Sequence, residues 1–238
     1  LSPLEIAQLV FTDFIELHGD RVLGDDPAIC GGIAYLGSQA VTVIATVKGK
    51  SLTEKIATHF GSPEPAGYHK ALRLMQQAAK FSRPIINLVD TPGAYPGKEA
   101  EQHGQGAAIA TTILNASQLP VPVITIITGE GGSGGALALA SADRVWMLEN
   151  SIYAILSPEG FATILWKDAA RSADAAELMQ LTPTKLQQQG IIDDIITART
   201  AKRLAATIEK KLVHEIASLQ RLSASALLQQ RQQRFRRF

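Results

Sequence analysis

The stretch Val121-Pro-Val-Ile-Thr-Ile-Ile-Thr-Gly-Glu-Gly-Gly-Ser-Gly-Gly-Ala-Leu-Ala-Leu-Ala140 joins a short apolar run to five glycines in seven positions, Gly129 to Gly135, and then to an alanine- and leucine-rich segment. The run is rich in β-branched residues, which predicts a strand buried on both faces. The segment beyond the glycines predicts a helix. Glycines let backbone N–H groups come close to a ligand, and a helix N-terminus adds positive partial charge. The turn is therefore expected to hold something negative, or something that becomes negative.

Several readings fit the same residues. Gly129-x-Gly131-x-x-Gly134 matches the dinucleotide fingerprint, with Glu149 at the expected distance downstream. Gly131-x-Ser133-x-Gly135 matches the nucleophile elbow of hydrolases. A third reading uses no side chain, only an oxyanion hole of backbone amides for an enolate or a ureido anion. A fourth has the glycines serving only to pack helix against strand. Short motifs recur by chance, so the segment alone leaves all four open.

A second segment separates them. Pro84-Ile-Ile-Asn-Leu-Val-Asp90 is another apolar strand, and it runs into Thr91-Pro-Gly-Ala-Tyr-Pro-Gly97, whose two prolines and two glycines fix an unusual path. A helix is predicted over residues 99–116, with Ala107, Ala108, Ala110 and Ile113 as its small apolar face. Strand, shaped loop and helix thus occur twice in succession. If the two strands lie parallel and adjacent, both loops emerge at one sheet edge. Two sets of amides facing one cavity suit an enolate-stabilising site, whereas a dinucleotide fold gives no reason for the first loop.

The hydrolase reading needs a histidine. Of His18, His59, His69, His103 and His214, only His214 follows Ser133, and it falls between Val213 and Glu215 in a long terminal helix. Ser133 is read instead as a small residue that fits a tight turn.

Bulk properties point to a soluble, cytoplasmic enzyme core. The 238 residues carry a net charge of +1, with 46% hydrophobic and 19% charged residues, which gives no case for nucleic acid binding. Cys30 stands alone, so no disulfide framework forms within the chain. No run approaches the ~18 apolar residues of a membrane span.

Along the chain, Ser2-Pro-Leu-Glu5 is a capping box that opens a helix to about Leu17, ended by Gly19. Strands are predicted over 28–36 and 40–47, joined at Gly37-Ser38 as a hairpin. Residues 48–62 are polar and read as a mobile loop, its Lys48 and Lys50 solvated. Residues 63–82 predict a helix with Ala71, Leu74, Met75, Ala78 and Phe81 inward. Short strands follow at 144–148 and 152–156, a helix capped by Ser157, helices over 173–179 and from Pro183, and a strand at 191–196. Leu204, Ile208, Leu212, Ile216 and Leu219 then make an apolar stripe on one helix face. The tail Arg231-Gln-Gln-Arg-Phe-Arg-Arg-Phe238 reads as a frayed, solvated end. The whole, residues 1–238, is expected to be a single domain with 199–238 a terminal helix and basic tail.

At this point the two strand–loop pairs, residues 85–97 and 129–138, resemble the carboxyltransferase alpha subunit of bacterial-type, multi-subunit acetyl-CoA carboxylase. Further matches run in the same order: Phe14-Ile-Glu-Leu-His-Gly-Asp-Arg21, Asp25-Asp26 with Gly31-Gly32-Ile33-Ala34, Gly67-Tyr-His-Lys-Ala-Leu-Arg-Leu-Met75, and Ile155-Leu-Ser-Pro-Glu-Gly160 with Ile164-Leu-Trp-Lys167. The resemblance implies an α/β, crotonase-like (ClpP/crotonase) fold of repeated β-β-α units with a long C-terminal helix.

It also implies the activity. Such subunits, with a beta subunit, transfer the carboxyl group of carboxybiotin to acetyl-CoA, giving malonyl-CoA for fatty acid synthesis. The biotin rides on a biotin carboxyl carrier protein and is not attached to this chain. The implied partners are the beta subunit, two alpha with two beta, the carrier protein, and biotin carboxylase within a larger ATP-binding complex; no metal is expected here, because the family's zinc ribbon belongs to the beta subunit. Carried onto this sequence, Gly134 and Gly135 supply the amides facing the biotin carbonyl, and Gly93, Ala94, Tyr95, Gly131 and Gly132 shape the carboxybiotin side. Two other classes stay in view. A stand-alone crotonase-like acyl-CoA hydratase or isomerase would use glutamate bases, drawn from Glu130, Glu99 and Glu101, and a non-catalytic scaffold would use the glycine loops for assembly.

Overall fold

The computed structural model describes residues 1–237. Helix α1 (Pro3–Val10) opens on the Ser2 capping box, in which Ser2 Oγ accepts the Glu5 N–H at 3.3 Å and Glu5 Oε2 accepts the Ser2 N–H at 2.9 Å. The helix stops at Val10 rather than near Leu17. Phe11 turns extended, and β1 (Thr12–Glu16) pairs antiparallel with the next strand as the sheet's edge. Phe11, Thr12, Phe14 and Ile15 suit a strand, and an available sheet edge outweighs weak helix propensity.

Strands β2 (Ile29–Leu36) and β3 (Gln39–Thr46) form the expected hairpin, with Gly37 at φ 59° in its turn. The polar segment that follows is structured, not a loop. A Ser51 capping box starts α2 (Leu52–Ala57), and a single 3₁₀ turn at His59–Gly61 succeeds it. The Ser51-x-x-Glu54 signature thus prevails over polar composition. Helix α3 (Pro65–Lys80) buries Ala71, Leu74, Met75 and Ala78, but Phe81 lies beyond its end and is exposed. After β4 (Ile85–Thr91) the predicted single helix is two, α4 (Lys98–Gln102) and α5 (Gln105–Ala116), broken where Gly104 takes φ 80°. On α5, Ala108 is buried and Ile113 packs beside it, while Ala107 and Ala110 face outward.

The second strand–turn–helix unit is β5 (Val123–Gly132) and α6 (Ser133–Ala140). Then come β6 (Arg144–Leu148), β7 (Ile152–Ala154), α7 (Pro158–Trp166), α8 (Ser172–Met179), α9 (Pro183–Gln188), β8 (Asp194–Ile196), α10 (Ala201–Leu219) and α11 (Ala224–Phe235). The sheet order is β1-β2-β3-β4-β5-β6-β8, and β3, β4, β5, β6 and β8 run parallel. On the side away from β4, strand β5 serves two neighbours: Ile124 to Ile127 pair with β6, and Glu130 to Gly132 pair with β7.

Alternation along the strands splits the core into two faces. Ile85, Val89 and Ile127 pack with Leu74, Met75 and Leu139 under α3 and α6. Ile86, Leu88, Ile124 and Ile126 pack with Ile208, Leu212, Ile216 and Leu219 of α10 and with Ile6 of α1. The stripe on the terminal helix therefore covers its own sheet.

The tail is docked, not frayed. It forms α11, and Arg231 is completely buried. Its guanidinium makes five hydrogen bonds: Nε and Nη2 to Asp143 at 2.9 and 2.6 Å, Nη1 to the Ala116 and Leu119 carbonyls at 2.9 and 2.8 Å, and Nη2 to the Val121 carbonyl at 2.9 Å. A buried arginine is tolerable only when its N–H groups are paired, and here the whole fork is used. Arg234 adds an ion pair to Asp193; Phe238, the last residue of the predicted solvated end, lies outside the described residues. Arg231→Met should leave the Asp143 carboxylate buried without its partner and cost about 3–5 kcal/mol, read as a lower urea midpoint. Adding Asp143→Asn should recover part of that loss, because the amide oxygen can still accept the Val123 N–H that Asp143 Oδ2 takes at 2.8 Å. A single variant as stable as the parent would contradict this role.

Candidate functional site

Thr91 pairs with Gly131 across β4 and β5, so the loop at 92–97 and the turn at 131–135 leave the sheet side by side, as the twofold strand–loop–helix pattern predicts. The loop is internally tied. Thr91 Oγ1 accepts the Gly93 N–H at 3.1 Å and donates to the Gly93 carbonyl at 3.0 Å, while Gly93 takes φ 136°. Buried Gln105 donates from Nε2 to the Pro63 and Tyr95 carbonyls at 2.8 and 3.0 Å, and the Tyr95 N–H donates to Pro63 at 3.0 Å. The Tyr95 ring stacks on His59 with centroids 3.8 Å apart and lies over Gly97.

The two segments touch backbone to backbone. A side chain on Gly132 would collide with the Pro92 carbonyl, and its Cβ would stand 2.9 Å from the Gly93 nitrogen. A Cβ on Gly135 would stand 2.6 Å from the Ala94 nitrogen and 2.9 Å from the Gly93 carbonyl carbon, and would strike the Tyr68 hydroxyl. Glycine is obligatory at both positions for this approach. Gly134 differs: its Cβ would meet only Ile109 Cγ2, at 3.5 Å. Gly131 packs against Tyr153 and pairs with it across β7.

Ser133 enters α6 at φ 55°, and the N-cap residue is Gly132, which offers no side-chain cap. The N–H groups of Ser133, Gly134 and Gly135 thus have neither an intrahelical acceptor nor a capping oxygen, and the helix dipole adds positive character there. The far end of α6 is anchored, since the Leu139 carbonyl accepts Asn87 Nδ2 at 2.7 Å and Thr125 Oγ1 at 2.6 Å. Ser133 and Gly134 border an apolar cleft of about 740 Å³ whose other walls include Leu137, Tyr153, Leu156, Phe161 and Ile164. Burial pushes the Tyr153 hydroxyl up to about 12 and raises that of Tyr68 further, so both stay protonated near neutrality.

Charged groups around the turn are already engaged. Lys48 Nζ bonds Asp90 Oδ1 at 2.7 Å and also Glu130. Burial works against the ammonium charge, but the two carboxylates outweigh it and raise the Lys48 pKa. Lys50 pairs with Glu5 at 2.7 Å, so neither lysine is simply solvated. Glu99 and Glu101 lie exposed on α4, and Glu130 is tied to Lys48. No histidine among the described residues is hydrogen-bonded to Ser133: His18 meets Asp25, His59 meets Glu64 and His69 meets Asp20. Glu149 lines a different groove beside Arg144, Asp194 and His214, away from the glycine turn. Burial and the Glu16 carboxylate push the Cys30 thiol up to about 12, which leaves it inert.

Of the residues singled out from sequence, Gly93, Ala94, Gly132 and Gly135 meet directly, Gly134 opens on the cleft, Gly131 holds the strand beside them, and Tyr95 sits at the loop's outer end. Gln105, His59 and the apolar wall of α7 are visible only in the fold, because their partners are distant in sequence.

Residues 2–238 match the family profile described as acetyl co-enzyme A carboxylase carboxyltransferase-like. The chain is 56% identical over 240 residues to the acetyl-coenzyme A carboxylase carboxyl transferase subunit alpha of Streptococcus equi subsp. zooepidemicus, covering 100% of this chain and 94% of that one. The same subunit of Streptococcus thermophilus is 55% identical with the same coverage. Among solved structures, the transcarboxylase 12S hexamer superposes with a TM-score of 0.74 at 21% identity, over 91% of this chain and 41% of that one. A Pseudomonas malonate decarboxylase hetero-tetramer gives a TM-score of 0.76 at 17% identity, over 92% and 88%. These likenesses agree with the crotonase-like architecture.

The glycine contacts separate two substitutions. Gly135→Ala should lower stability by about 1–3 kcal/mol through overpacking, whereas Gly134→Ala should be neutral or stabilising by about 0.4–1 kcal/mol. Thermal denaturation of the two variants checks the order.

Proposed function

The chain belongs to the family of acetyl-CoA carboxylase carboxyltransferase alpha subunits, and we propose that its 131–135 turn, faced by Gly93, Ala94 and Tyr95, is where the carboxyl group leaves carrier-borne biotin. It is a transferase that, with a beta subunit, moves the carboxyl group of carboxybiotin to acetyl-CoA and yields malonyl-CoA. Bound carboxybiotin supplies the transferable carboxyl group, and its ureido oxygen gains negative charge as that group departs.

The chain's share is electrostatic. Gly134 and Gly135 offer first-turn N–H groups of α6 as donors fixed in place before the reaction, and one such donor contributes about 2.7–4 kcal/mol in comparable oxyanion holes. Gly93 and Ala94 form the opposing wall, and Tyr95, held by His59 and Gln105, closes its outer end. Gly131 and Gly132 carry β5 into the turn without a side chain in the way. A bound group that fills the apolar cleft beside Gly134 displaces its water, which strengthens hydrogen bonds made there. One observation carries the reading: two glycine segments meet backbone to backbone beside a helix start with no side-chain cap.

The hydratase alternative is not favoured, because Glu130 is committed to Lys48 and the other two glutamates lie on exposed α4. In this reading residues 1–238 act as one carboxyltransferase domain whose terminal segment closes the sheet. The wider assembly has two alpha and two beta subunits, the biotin carboxyl carrier protein and biotin carboxylase, and works in the cytoplasm in fatty acid synthesis. No helix among the described residues is long and apolar enough to cross a membrane.

In the complex reconstituted with the beta subunit and carboxylated carrier, Gly134→Val keeps the N–H but sets a branched side chain beside it at the cleft. Denying the donor to its acceptor should lower kcat for malonyl-CoA formation by about 100-fold with assembly intact. A parental rate would remove the turn from the chemistry. The chain alone should not hydrate an enoyl-CoA; turnover there would favour the stand-alone enzyme.

A further inference from the structure

A glycine-rich turn is a poor place to keep hydrogen-bond donors still. Gly129, Gly131, Gly132, Gly134 and Gly135 leave this stretch almost without side chains of its own to pack it in place. Donors that act by preorganisation must be held to within about 0.5 Å. Something outside the turn has to hold it.

The pairing of β4 with β5 shows where. Val89 lies opposite Ile127 and Thr91 opposite Gly131, so one residue of β4, Asp90, faces three of β5, Thr128, Gly129 and Glu130. The ladder is interrupted by this bulge, and the Asp90 carboxylate fills it. Asp90 Oδ1 accepts the Glu130 N–H at 2.8 Å, standing in for a ladder bond. Gly129 lies so close that a Cβ there would stand 2.6 Å from the Asp90 carboxyl carbon and 2.9 Å from Oδ2. Thr128 Oγ1 donates to the Val89 carbonyl at 3.2 Å, closing the bulge at its start.

Asp90 is itself fixed from the other side. Its N–H donates to Thr46 Oγ1 of β3 at 2.6 Å, and Lys48 Nζ neutralises its carboxylate at 2.7 Å. Lys48 also reaches the Glu130 side chain, so it ties both members of the bulge. Only Gly131, Gly132 and Ser133 separate the braced Glu130 from Gly134.

We propose that Asp90 is a positioning residue for carboxyl transfer: its carboxylate fills the β5 bulge and sets the register of the turn, with Lys48 as its counter-charge. It touches no reacting atom and acts through the Glu130 backbone. Bulges re-aim the chain beside active sites, and this one depends on a side chain from the neighbouring strand. The inference rests on the oxyanion-hole reading of the turn, so its test must separate the two.

The experiment is steady-state kinetics on the reconstituted complex with carboxylated carrier protein and acetyl-CoA. Asp90→Ala should lower kcat by about 100-fold, the cost of a misplacement near 1 Å, with KM for acetyl-CoA within about twofold. Asp90→Asn keeps an acceptor for the Glu130 N–H and loses only the charge assistance, so it should stay within about tenfold of the parent. Gly129→Ala, which pushes the carboxylate off the Glu130 N–H without removing it, should resemble Asp90→Ala and serves if that variant does not assemble. An Asp90→Ala kcat within about twofold of the parent, or Asn no better than Ala, overturns the proposal. So does a loss of kcat that, in Asp90→Ala and Gly129→Ala alike, only follows loss of assembled complex. Gly134→Val runs alongside: if it is inactive while Asp90→Ala is active, the brace alone is wrong, and if it is active, the oxyanion reading itself fails.

Discussion

The rest of the molecule depends on one close approach, that of the Gly93–Ala94 backbone to the backbone of Gly132 and Gly135. The approach excludes a Cβ at Gly132 and at Gly135, and with glycine as its N-cap α6 starts without a side-chain cap. The first-turn N–H groups of α6 thus lie beside a second wall of backbone. In the proposed role such backbone donors do not titrate, and their strength comes from being in place before charge develops. The twofold repeat of strand, shaped loop and helix is the means by which two such walls reach the same edge of a parallel sheet.

Holding that approach takes support from several directions. Asn87 and Thr125 anchor the far end of α6, Gln105 pins the 92–97 loop to Pro63, and Asp90 fills the bulge below the turn. Arg231 reaches back from the last helix to tie Asp143 to the carbonyls that precede β5. The cleft beside the turn is apolar and open: Ile155, Ile164 and Leu165 are 78%, 67% and 54% exposed around it. A polar-anchored back and an open, apolar front suit the proposed receipt of a substrate group from a separate carrier.

Much of this was legible in the sequence because the signals are local. The β-branched runs before Asp90 and Gly129, the Gly37 hairpin and the Ser2 capping box each carry their own physical warrant, and each is found. Local signals also misled. Phe11 to Glu16 has side chains that serve either helix or strand, and only the waiting edge of β2 decides. The segment from Glu99 to Ala116 has helical periodicity throughout, yet Gly104 breaks it. The four arginines near the end look alike and solvated, but Arg231 is buried by an acid 88 positions away. Asp90 reads as the polar end of a strand, because the bulge it fills does not exist until β4 and β5 pair. The contacts that hold the site are long-range, and no spacing rule exposes them.

The most direct measurement is the structure of the alpha–beta complex with the carrier's biotin bound, read at the ureido oxygen. The account predicts that oxygen within about 2.7–3.1 Å of the Gly134 and Gly135 amide nitrogens, with no side chain between. A ureido oxygen held instead by side-chain donors, or lying beyond hydrogen-bond reach of both amides, would contradict it.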